Sequence, residues 1–142
     1  MPVLIGDGGH ARDIIAAATK HGRHNYWPIH AHHSEFSWKP ESLLRPRYVI
    51  GINDSQLRAR VATEIGYDDD PWVHPHAYIG PECTWGPGTH INYAVSMTRT
   101  IIGHHCTIAP GVTICGDVTL GDRVFVGAGA VGLGAIPAGL MM

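Results

Sequence analysis

The chain has 142 residues, of which 44% are hydrophobic and 15% charged, and these proportions exclude a disordered segment because there is enough apolar surface to bury. A formal net charge of −2 supplies neither a basic stripe for nucleic acid nor a cationic face for a membrane, so neither partner is expected. Three cysteines (Cys83, Cys106 and Cys115) make no disulfide framework, which favours a reducing, cytoplasmic compartment. The uncharged stretch 124–142 holds five glycines and Pro137, so no membrane span is expected there.

Residues 1–70 alternate short apolar runs with helical segments, which is typical of a small parallel α/β unit. Val3, Leu4 and Ile5 predict a buried strand that ends in a glycine turn. A helix is predicted next, over 11–20. The residues expected on its apolar face are Ile14, Ile15 and Ala18.

Two further strands are predicted, at 26–29 and at 48–52. A second helix follows, beginning at Asp54 or Ser55 and ending at Ile65. Its apolar positions, spaced four residues apart, are Leu57, Val61 and Ile65. Together these elements predict a Rossmann-like α/β domain over 1–70.

The second half of the chain, 71–142, has a different periodicity. From Val73 a bulky apolar residue recurs every six positions, with one five-residue step after Met97. The series is Val73, Ile79, Trp85, Ile91, Met97, Ile102, Ile108, Ile114, Leu120 and Val126. Small or β-branched side chains follow four positions later, at Cys83, Thr89, Val95, Cys106, Val112, Val118 and Val124. Period six is the hexapeptide repeat of a parallel β-helix, in which each repeat forms one side of a triangular coil.

The predicted β-helix is short, with about three coils between Val73 and Val131. Such a prism leaves much flat β surface and both of its ends exposed. We therefore expect partner copies of the same chain, with a homotrimer as the expected arrangement.

The turn after the first strand could bind a diphosphate. It runs through Gly6, Asp7, Gly8, Gly9, His10 and Ala11, and satisfies G-x-G-x-x-[GA] between a strand and a helix. Glycines let the backbone approach phosphates, and the helix N-terminus supplies amide donors, so Gly8 is expected to need a positive φ or close ligand contact. A nicotinamide site would need an acidic residue near the second strand, and none stands there before Glu35. Another nucleotide diphosphate is the prediction, and a turn without ligand is the alternative.

His104, His105 and Cys106 form the second cluster that could carry chemistry. In the hexapeptide frame Ile102 and Cys106 point inward, so both histidines are expected at an accessible outward corner. An imidazole there could act as a general base, because it takes up a proton near neutral pH. One corner offers too few ligands for a metal, so none is expected. Solvated corner histidines are the alternative, and His90, also expected to point outward, is a weaker candidate.

With both halves in view, the chain resembles the sugar O-acyltransferase/sialic-acid O-acetyltransferase family, which includes N-acetyltransferases that modify UDP-linked amino sugars. The stretches that carry the resemblance are VLIGDGGHARDIIAAA (3–18), VIGINDSQLRARVA (49–62), PWVHPHAYIGPECTWGPGTHIN (71–92) and IAPGVTICGDVTLGDRVFVGAGAV (108–131). The resemblance implies a left-handed β-helix, a nucleotide-binding N-terminal domain, and acyl-CoA bound between the β-helices of a trimer.

The resemblance also assigns residues by position. The nucleotide sugar, with UDP as the expected nucleotide, is assigned to the turn 6–11 and to Gly51, Ile52 and Asn53. Acetyl-CoA, the acyl donor, is assigned to Gly127, Ala128 and Gly129.

The family's catalytic motif, His-Asp/Glu-Cys-x-Ile, aligns in two ways. In the first, 104–108 match it, with His104 and His105 as the candidate catalytic residues and His105 in place of the acid; six residues are then missing before 109–111. In the second, a one-residue gap after Met97 puts Arg99 at the catalytic histidine and Thr107 at the CoA-facing one. The second alignment leaves no histidine as base.

The predicted function is acyl transfer, with acetyl expected, from acyl-CoA to an amino or hydroxyl group of a nucleotide-linked sugar. The base would remove a proton as nitrogen or oxygen attacks the thioester, and a backbone N–H would stabilise the oxyanion. The alternative is a non-catalytic member of the same fold that binds a nucleotide or scaffolds other enzymes. A Rossmann oxidoreductase has only the glycine turn in its support.

Overall fold

The computed structural model describes residues 3–5, 8–20, 27–29, 48–65, 70–132 and 134–139. Within them the chain forms, in order, β1 (Val3–Ile5), α1 (Gly9–Lys20), β2 (Trp27–Ile29), β3 (Tyr48–Ile50), α2 (Ser55–Ile65), β4 (Trp72–Val73), β5 (Tyr78–Ile79), β6 (Thr84–Trp85), β7 (His90–Ile91), β8 (Ser96–Ile102), β9 (Thr107–Ile108), β10 (Thr113–Leu120) and β11 (Phe125–Val126). No helix in this part of the chain is long and apolar enough to cross a membrane.

The first five elements make an α/β unit, β1 to α2, around a parallel sheet of order β2-β1-β3. The central strand pairs on both sides, with Leu4 opposite Pro28 and Val49. The chain passes from one side of β1 to the other between β2 and β3. The carboxyl ends of β1 and β3 therefore lie side by side where the strand order reverses, which is the usual ligand position in open α/β sheets.

Helix α1 packs on this sheet through a face that differs from the predicted one. Ala11, Ile14 and Ala17 are buried in one core with Leu4 and Val49, but Ile15 is 38% exposed. Positions three apart along a helix share a face, so the small alanines beside Ile14 define the buried stripe. The prediction for Ile15 is wrong, and the side chain of Ala18 lies outside the described residues.

Helix α2 starts at a cap that its sequence specifies. The Asp54 carboxylate accepts the Leu57 backbone N–H at 2.9 Å, which satisfies one of the donors left over in the first turn. The buried face is Ser55, Arg58, Val61 and Ala62. Of the predicted face, Val61 is buried, Leu57 is half-buried, and the side chain of Ile65 lies outside the described residues.

The β-helix follows the predicted register. Seven of the ten residues in the apolar series are buried in one core, and Val73, Ile79 and Trp85 pack against it. The second series points inward as well, since Val95, Cys106, Val112, Val118 and Val124 join that core and Thr89 is buried. The hexapeptide prediction is confirmed by the parallel strand pairing.

Three faces result from the coil. Face 1 is the sheet β4-β7-β9-β11; face 2 holds β5 with the first parts of β8 and β10; face 3 holds β6 with their second parts. Isolated bridges from Thr113 to Val131 and from Leu120 to Ile136 begin a fourth coil, so the structure extends beyond the three that the sequence suggested.

Corners join the faces, and residues at one corner stack from coil to coil. Corner A, between faces 1 and 2, includes Tyr93 and the turns 110–111 and 128–129. Corner B, between faces 2 and 3, includes the turns 81–82 and 116–117 with Arg99 between them. Corner C, between faces 3 and 1, stacks the turns 87–88, 104–105, 122–123 and 138–139.

The five-residue step is a shortened corner B. The pairing of β8 with β10 shifts register between Cys115 and Val118, which lie opposite Thr98 and Thr100, so Arg99 alone spans what two residues span in the next coil. Strand pairing is regular on both sides of it. The missing residue is therefore located at the corner and leaves both faces intact.

Candidate functional site

Face 1 is covered by the α/β unit, and Arg58 joins the two. This arginine is fully buried. Its Nε donates to the Gly88 carbonyl at 2.8 Å, Nη1 to that of Ile52 at 2.7 Å, and Nη2 to that of Cys106 at 2.6 Å. The guanidinium thus ties the end of β3 to two coils of the β-helix. Arg58 was not among the residues predicted from the sequence, although its position three residues from both Ser55 and Val61 placed it on the buried face.

Two hydroxyl groups add hydrogen bonds between the α/β unit and the β-helix. Ser55 Oγ donates to Thr107 Oγ1 at 3.0 Å, and Thr107 donates to the Asn53 carbonyl at 2.8 Å. Thr107 is buried, at 1% exposure. Its side chain therefore packs against the α/β unit rather than facing a ligand.

The part of the predicted diphosphate turn that the structure describes is exposed to solvent. Gly8 and Gly9 are exposed, with no atom within 4 Å of where a Cβ would stand, and the Gly8 carbonyl accepts the Arg12 N–H at 3.1 Å. Gly8 does not have a left-handed φ, so of the two requirements expected there, a positive φ or close ligand contact, the second stays a prediction. Gly6 and Asp7 lie outside the described residues.

The remaining residues assigned to the nucleotide sugar are divided between packing and solvent. A Cβ on Gly51 would stand 2.8 Å from the Ala11 Cβ, so this glycine lets α1 approach the end of β3. Ala11, Gly51 and Ile52 are buried, whereas the Asn53 side chain is exposed beside the end of β3. Within the described residues of this set, Gly8, Gly9 and Asn53 are therefore exposed and His10 is half-buried.

His10 points into the junction, where it meets His90. His10 Nε2 lies 2.8 Å from His90 Nδ1, and the Trp72 ring packs edge-on at a centroid distance of 5.6 Å. His90 points away from the coil interior as predicted, yet it is fully buried because the α/β unit covers it. Its Nε2 has no hydrogen-bond partner within the described part of the chain.

Burial changes the protonation of this pair. Desolvation, assisted by the charge of Arg58, lowers the pKa of His10 to about 4. Burial also lowers the pKa of His90 well below its usual value, assisted by Arg58, His10 and His105. Both rings are neutral at neutral pH, which allows one nitrogen to donate and the other to accept.

Corner C holds the second predicted cluster together with a carboxylate. His104 Nε2 lies 3.2 Å from Asp122 Oδ2, and the His104 backbone N–H donates to Asp122 Oδ1 at 3.0 Å. His104 Nδ1 lies 2.9 Å from His105 Nδ1. Asp122 thus places a carboxylate against the His104 ring, which His105 does not. Asp122 was not among the residues predicted from the sequence; it stands 18 residues after His104 and therefore stacks against it from the next coil.

The arrangement fixes which nitrogen can act. When Nε2–H donates to the Asp122 carboxylate, Nδ1 carries the lone pair and accepts the Nδ1–H of His105. A carboxylate in this position orients the ring and stabilises the imidazolium that forms when Nδ1 takes a proton. His104 is 40% and Asp122 43% exposed at the side chain, so a substrate can reach them.

A groove of about 320 Å³ opens beside this pair. On one side it is lined by α2, through Gln56, Ala59, Arg60 and Thr63, and on the other by corner C, through His104, His105 and Arg123. Among the described residues, no three His, Cys, Asp or Glu side chains gather to hold a metal ion.

The other two candidate positions lie at other corners. At corner B, Arg99 Nε lies 3.2 Å from Asp117 Oδ1, and both side chains are exposed. At corner A, Ala128 and Gly129 form the exposed turn after Gly127, and the Gly129 N–H donates to the Pro110 carbonyl at 3.0 Å. One chain therefore does not bring the residues assigned to acetyl-CoA together with His104.

Comparison with known proteins gives a family match to part of the chain and fold matches to nearly all of it. Residues 99–131 match the family model described as bacterial transferase hexapeptide (six repeats). No curated protein matches the sequence.

Solved structures with this fold include two acetyltransferases and a third protein, WeeI. A mutant of perosamine N-acetyltransferase from Caulobacter crescentus, in complex with CoA and GDP-perosamine, is 21% identical with a TM-score of 0.64, covering 98% of this chain and 91% of that one. The acetyltransferase domain of PglB from Neisseria gonorrhoeae, in complex with acetyl coenzyme A, is 19% identical with a TM-score of 0.65, covering 98% and 93%. WeeI from Acinetobacter baumannii is 14% identical with a TM-score of 0.56, covering 99% and 95%. At such identities the likeness establishes the shared fold.

Proposed function

We propose that the protein transfers an acetyl group from acetyl-CoA to the amino group of a nucleotide-linked sugar. The observation that carries this proposal is the His104–Asp122 pair at the edge of a groove, because it supplies a base with a carboxylate partner. Two structures of the same fold are described with CoA or acetyl-CoA, and one of them with GDP-perosamine, which supports the choice of donor and acceptor.

In the proposed reaction the acceptor amine replaces His105 as the partner of His104 Nδ1. Its nitrogen attacks the thioester carbonyl carbon, the C–N bond forms, and the proton passes to Nδ1. Asp122 holds the resulting imidazolium in place. The C–S bond then breaks, and the imidazolium returns the proton to the leaving thiolate of CoA. An amine enters unprotonated and needs less assistance than a hydroxyl, which favours N-acetylation over O-acetylation.

The test is acetyl transfer to UDP- and GDP-linked amino sugars, followed by release of the CoA thiol. Removing a general base costs a factor of about 10² to 10⁴ in rate, so His104→Ala should lower kcat at least about a hundredfold with a much smaller change in KM. Asp122→Asn should also lower kcat, and Asp117→Asn is its matched control because Asp117 pairs with Arg99 at a different corner. Equal turnover by wild type and His104→Ala would contradict the proposal.

We further propose that the α/β unit is a reduced Rossmann-like nucleotide domain (1–70), that 71–142 is a left-handed coil, and that the protein acts as a cytoplasmic homotrimer. Tyr78, Ile101 and Val131 are more than half exposed on faces 2 and 3, which leaves apolar surface for partner copies. A neighbouring copy could also bring its 127–129 turn to the His104 groove. Sedimentation at micromolar concentration should show a trimer, and a stable monomer would contradict a site shared between subunits.

The second candidate function is nucleotide binding or scaffolding without catalysis. The shortened corner B favours it. The missing residue lies beside Arg99, which is where the one-gap alignment puts it, and that alignment leaves no histidine as base. The burial of Thr107 against Asn53 favours it too, because the side chain cannot face CoA. Calorimetric titration that shows nucleotide-sugar binding, together with no acetyl transfer, would support this candidate over the first.

A further inference from the structure

Two arginines face each other across the groove beside His104. Arg60 projects from α2, and Arg123 stands at corner C, directly after Asp122. Neither makes an ion pair with any residue that the structure describes. His104 and His105 line the same groove, so four nitrogen-bearing basic side chains converge on about 320 Å³.

The nearby carboxylates are already engaged. Asp122 receives the His104 backbone N–H and lies against its ring, and Asp54 caps α2 through the Leu57 N–H. Among the described residues that line this groove, none is acidic, and the Asp122 carboxylate lies against the His104 ring at its edge. A guanidinium presents paired donors that match phosphate oxygens, and two of them on opposite walls suit a ligand with two linked phosphates.

A second groove, of about 390 Å³, continues from the first and shares Gln56 and Arg123 with it. Its lining adds Asn53, Asp54, Ser55, Gly139 and the half-buried ring of Phe125, and the Asp54 carboxylate there accepts the Leu57 N–H. Arg123 stands between the two spaces. A molecule with a diphosphate at Arg123 would thus have room for a planar base near Phe125 on one side and for its reactive end near His104 on the other.

We propose that Arg60 and Arg123 bind the diphosphate of a nucleoside-diphosphate ester and so position its reactive end at His104. This site is separate from the glycine turn 6–11. The proposal deepens the proposed function and rests on it for the identity of the ester. Both substrates of that reaction contain such a group, the nucleotide sugar as acceptor and acetyl-CoA as donor.

The test measures binding directly, by calorimetric titration of the full chain with UDP, GDP and CoA. Arg60→Gln and Arg123→Gln should each raise Kd about 10- to 100-fold for at least one of these probes, since each loses a charge-assisted contact. Arg12→Gln removes the same charge from the exposed side of α1 and should leave Kd unchanged. Weakening with UDP or GDP assigns the groove to the acceptor, and weakening with CoA assigns it to the donor.

Two results would overturn the proposal. One is unchanged affinity for all three probes in both groove variants. The other is the reverse pattern, with Arg12→Gln weakening every probe and the groove variants weakening none, which would place the diphosphates at the glycine turn. Binding that depends on Arg60 and Arg123 without any acetyl transfer would contradict the proposed function while supporting this site. Acetyl transfer by both variants with an unaltered KM for both substrates would support the proposed function and contradict this site.

Discussion

Acidification should destabilise the protein through the buried pair of His10 and His90. Burial and the charge of Arg58 lower the pKa of both imidazoles in the folded state, so both rings stay neutral there. In the unfolded chain each ring is solvated and takes up a proton near its usual pKa of 6.5. Between pH 6.5 and about 4 the unfolded state therefore binds more protons than the folded state. The free energy of unfolding must fall as the pH is lowered through this window.

The size of the loss follows from the displacement of the pKa of His10 from 6.5 to about 4. At pH 5 the unfolded form of this residue is almost fully protonated and the folded form almost fully neutral. The linkage relation then gives a loss of about 2 kcal/mol from His10 alone. His90 acts in the same direction. Since a domain is stable by only about 5–15 kcal/mol, the effect is readily measurable.

Urea unfolding, followed by circular dichroism at pH 7.5 and pH 5, measures this loss. His10→Gln removes the titrating group, so its stability difference between the two pH values should be smaller than that of wild type by about 2 kcal/mol. His76→Gln, at an exposed histidine, is the control and should keep the wild-type difference. If His10→Gln retained the full pH dependence, or if the His10 ring titrated near 6.5 in the folded protein, the reasoning would be refuted.

Three substitutions test the packing of the same structure. Arg58→Leu should lower the free energy of unfolding in urea by about 3–5 kcal/mol, because it leaves several buried carbonyls without a donor. Its control is Arg60→Gln on the exposed side of α2, which should lower that free energy by less than about 0.5 kcal/mol. Gly121→Ala should lower the thermal midpoint, since its Cβ would stand 2.5 Å from the Ala138 backbone nitrogen; an unchanged midpoint would show that corner C can open. Gly8→Val should leave both stability and the affinity for UDP and GDP nearly unchanged, because open space surrounds the site and the diphosphate is proposed to lie in the Arg60–Arg123 groove; lost binding in titration would place the nucleotide at the glycine turn instead.

The β-helix could be read from the sequence because its period admits a single register. A shift of one residue would turn every bulky side chain outward, so the apolar series determined each inward position, including Ile102 after the short step. The α1 helix was harder. Ile15 is more hydrophobic than Ala11 or Ala17, but geometry rather than hydrophobicity decides which face meets the sheet, and the alanines allow the close approach.

The site was only partly predictable, because its key contacts cross between distant parts of the chain. Arg58 and the Cys106 carbonyl are 48 residues apart, and nothing in the local sequence marks their meeting. His90 points out of the coil as predicted, but it is buried because α1 packs over it through His10. Asp122 is different, since coil stacking places it below His104 at a spacing of 18 residues. Comparing residues one coil apart could have identified it.

Trp72 has a consequence for how the chain folds as it is made. By sequence it opens the first coil, but its ring lies in the hydrophobic core of the α/β unit with Leu4, Ile14 and Val49. A ribosome that has released only residues 1–65 has therefore released a sheet whose core is still open to water. The last acceptor of Arg58, the Cys106 carbonyl, emerges later still. Chains usually complete their N-terminal parts first during synthesis, but here the core and the Arg58 hydrogen bonds of the first unit are complete only after the second coil has been translated.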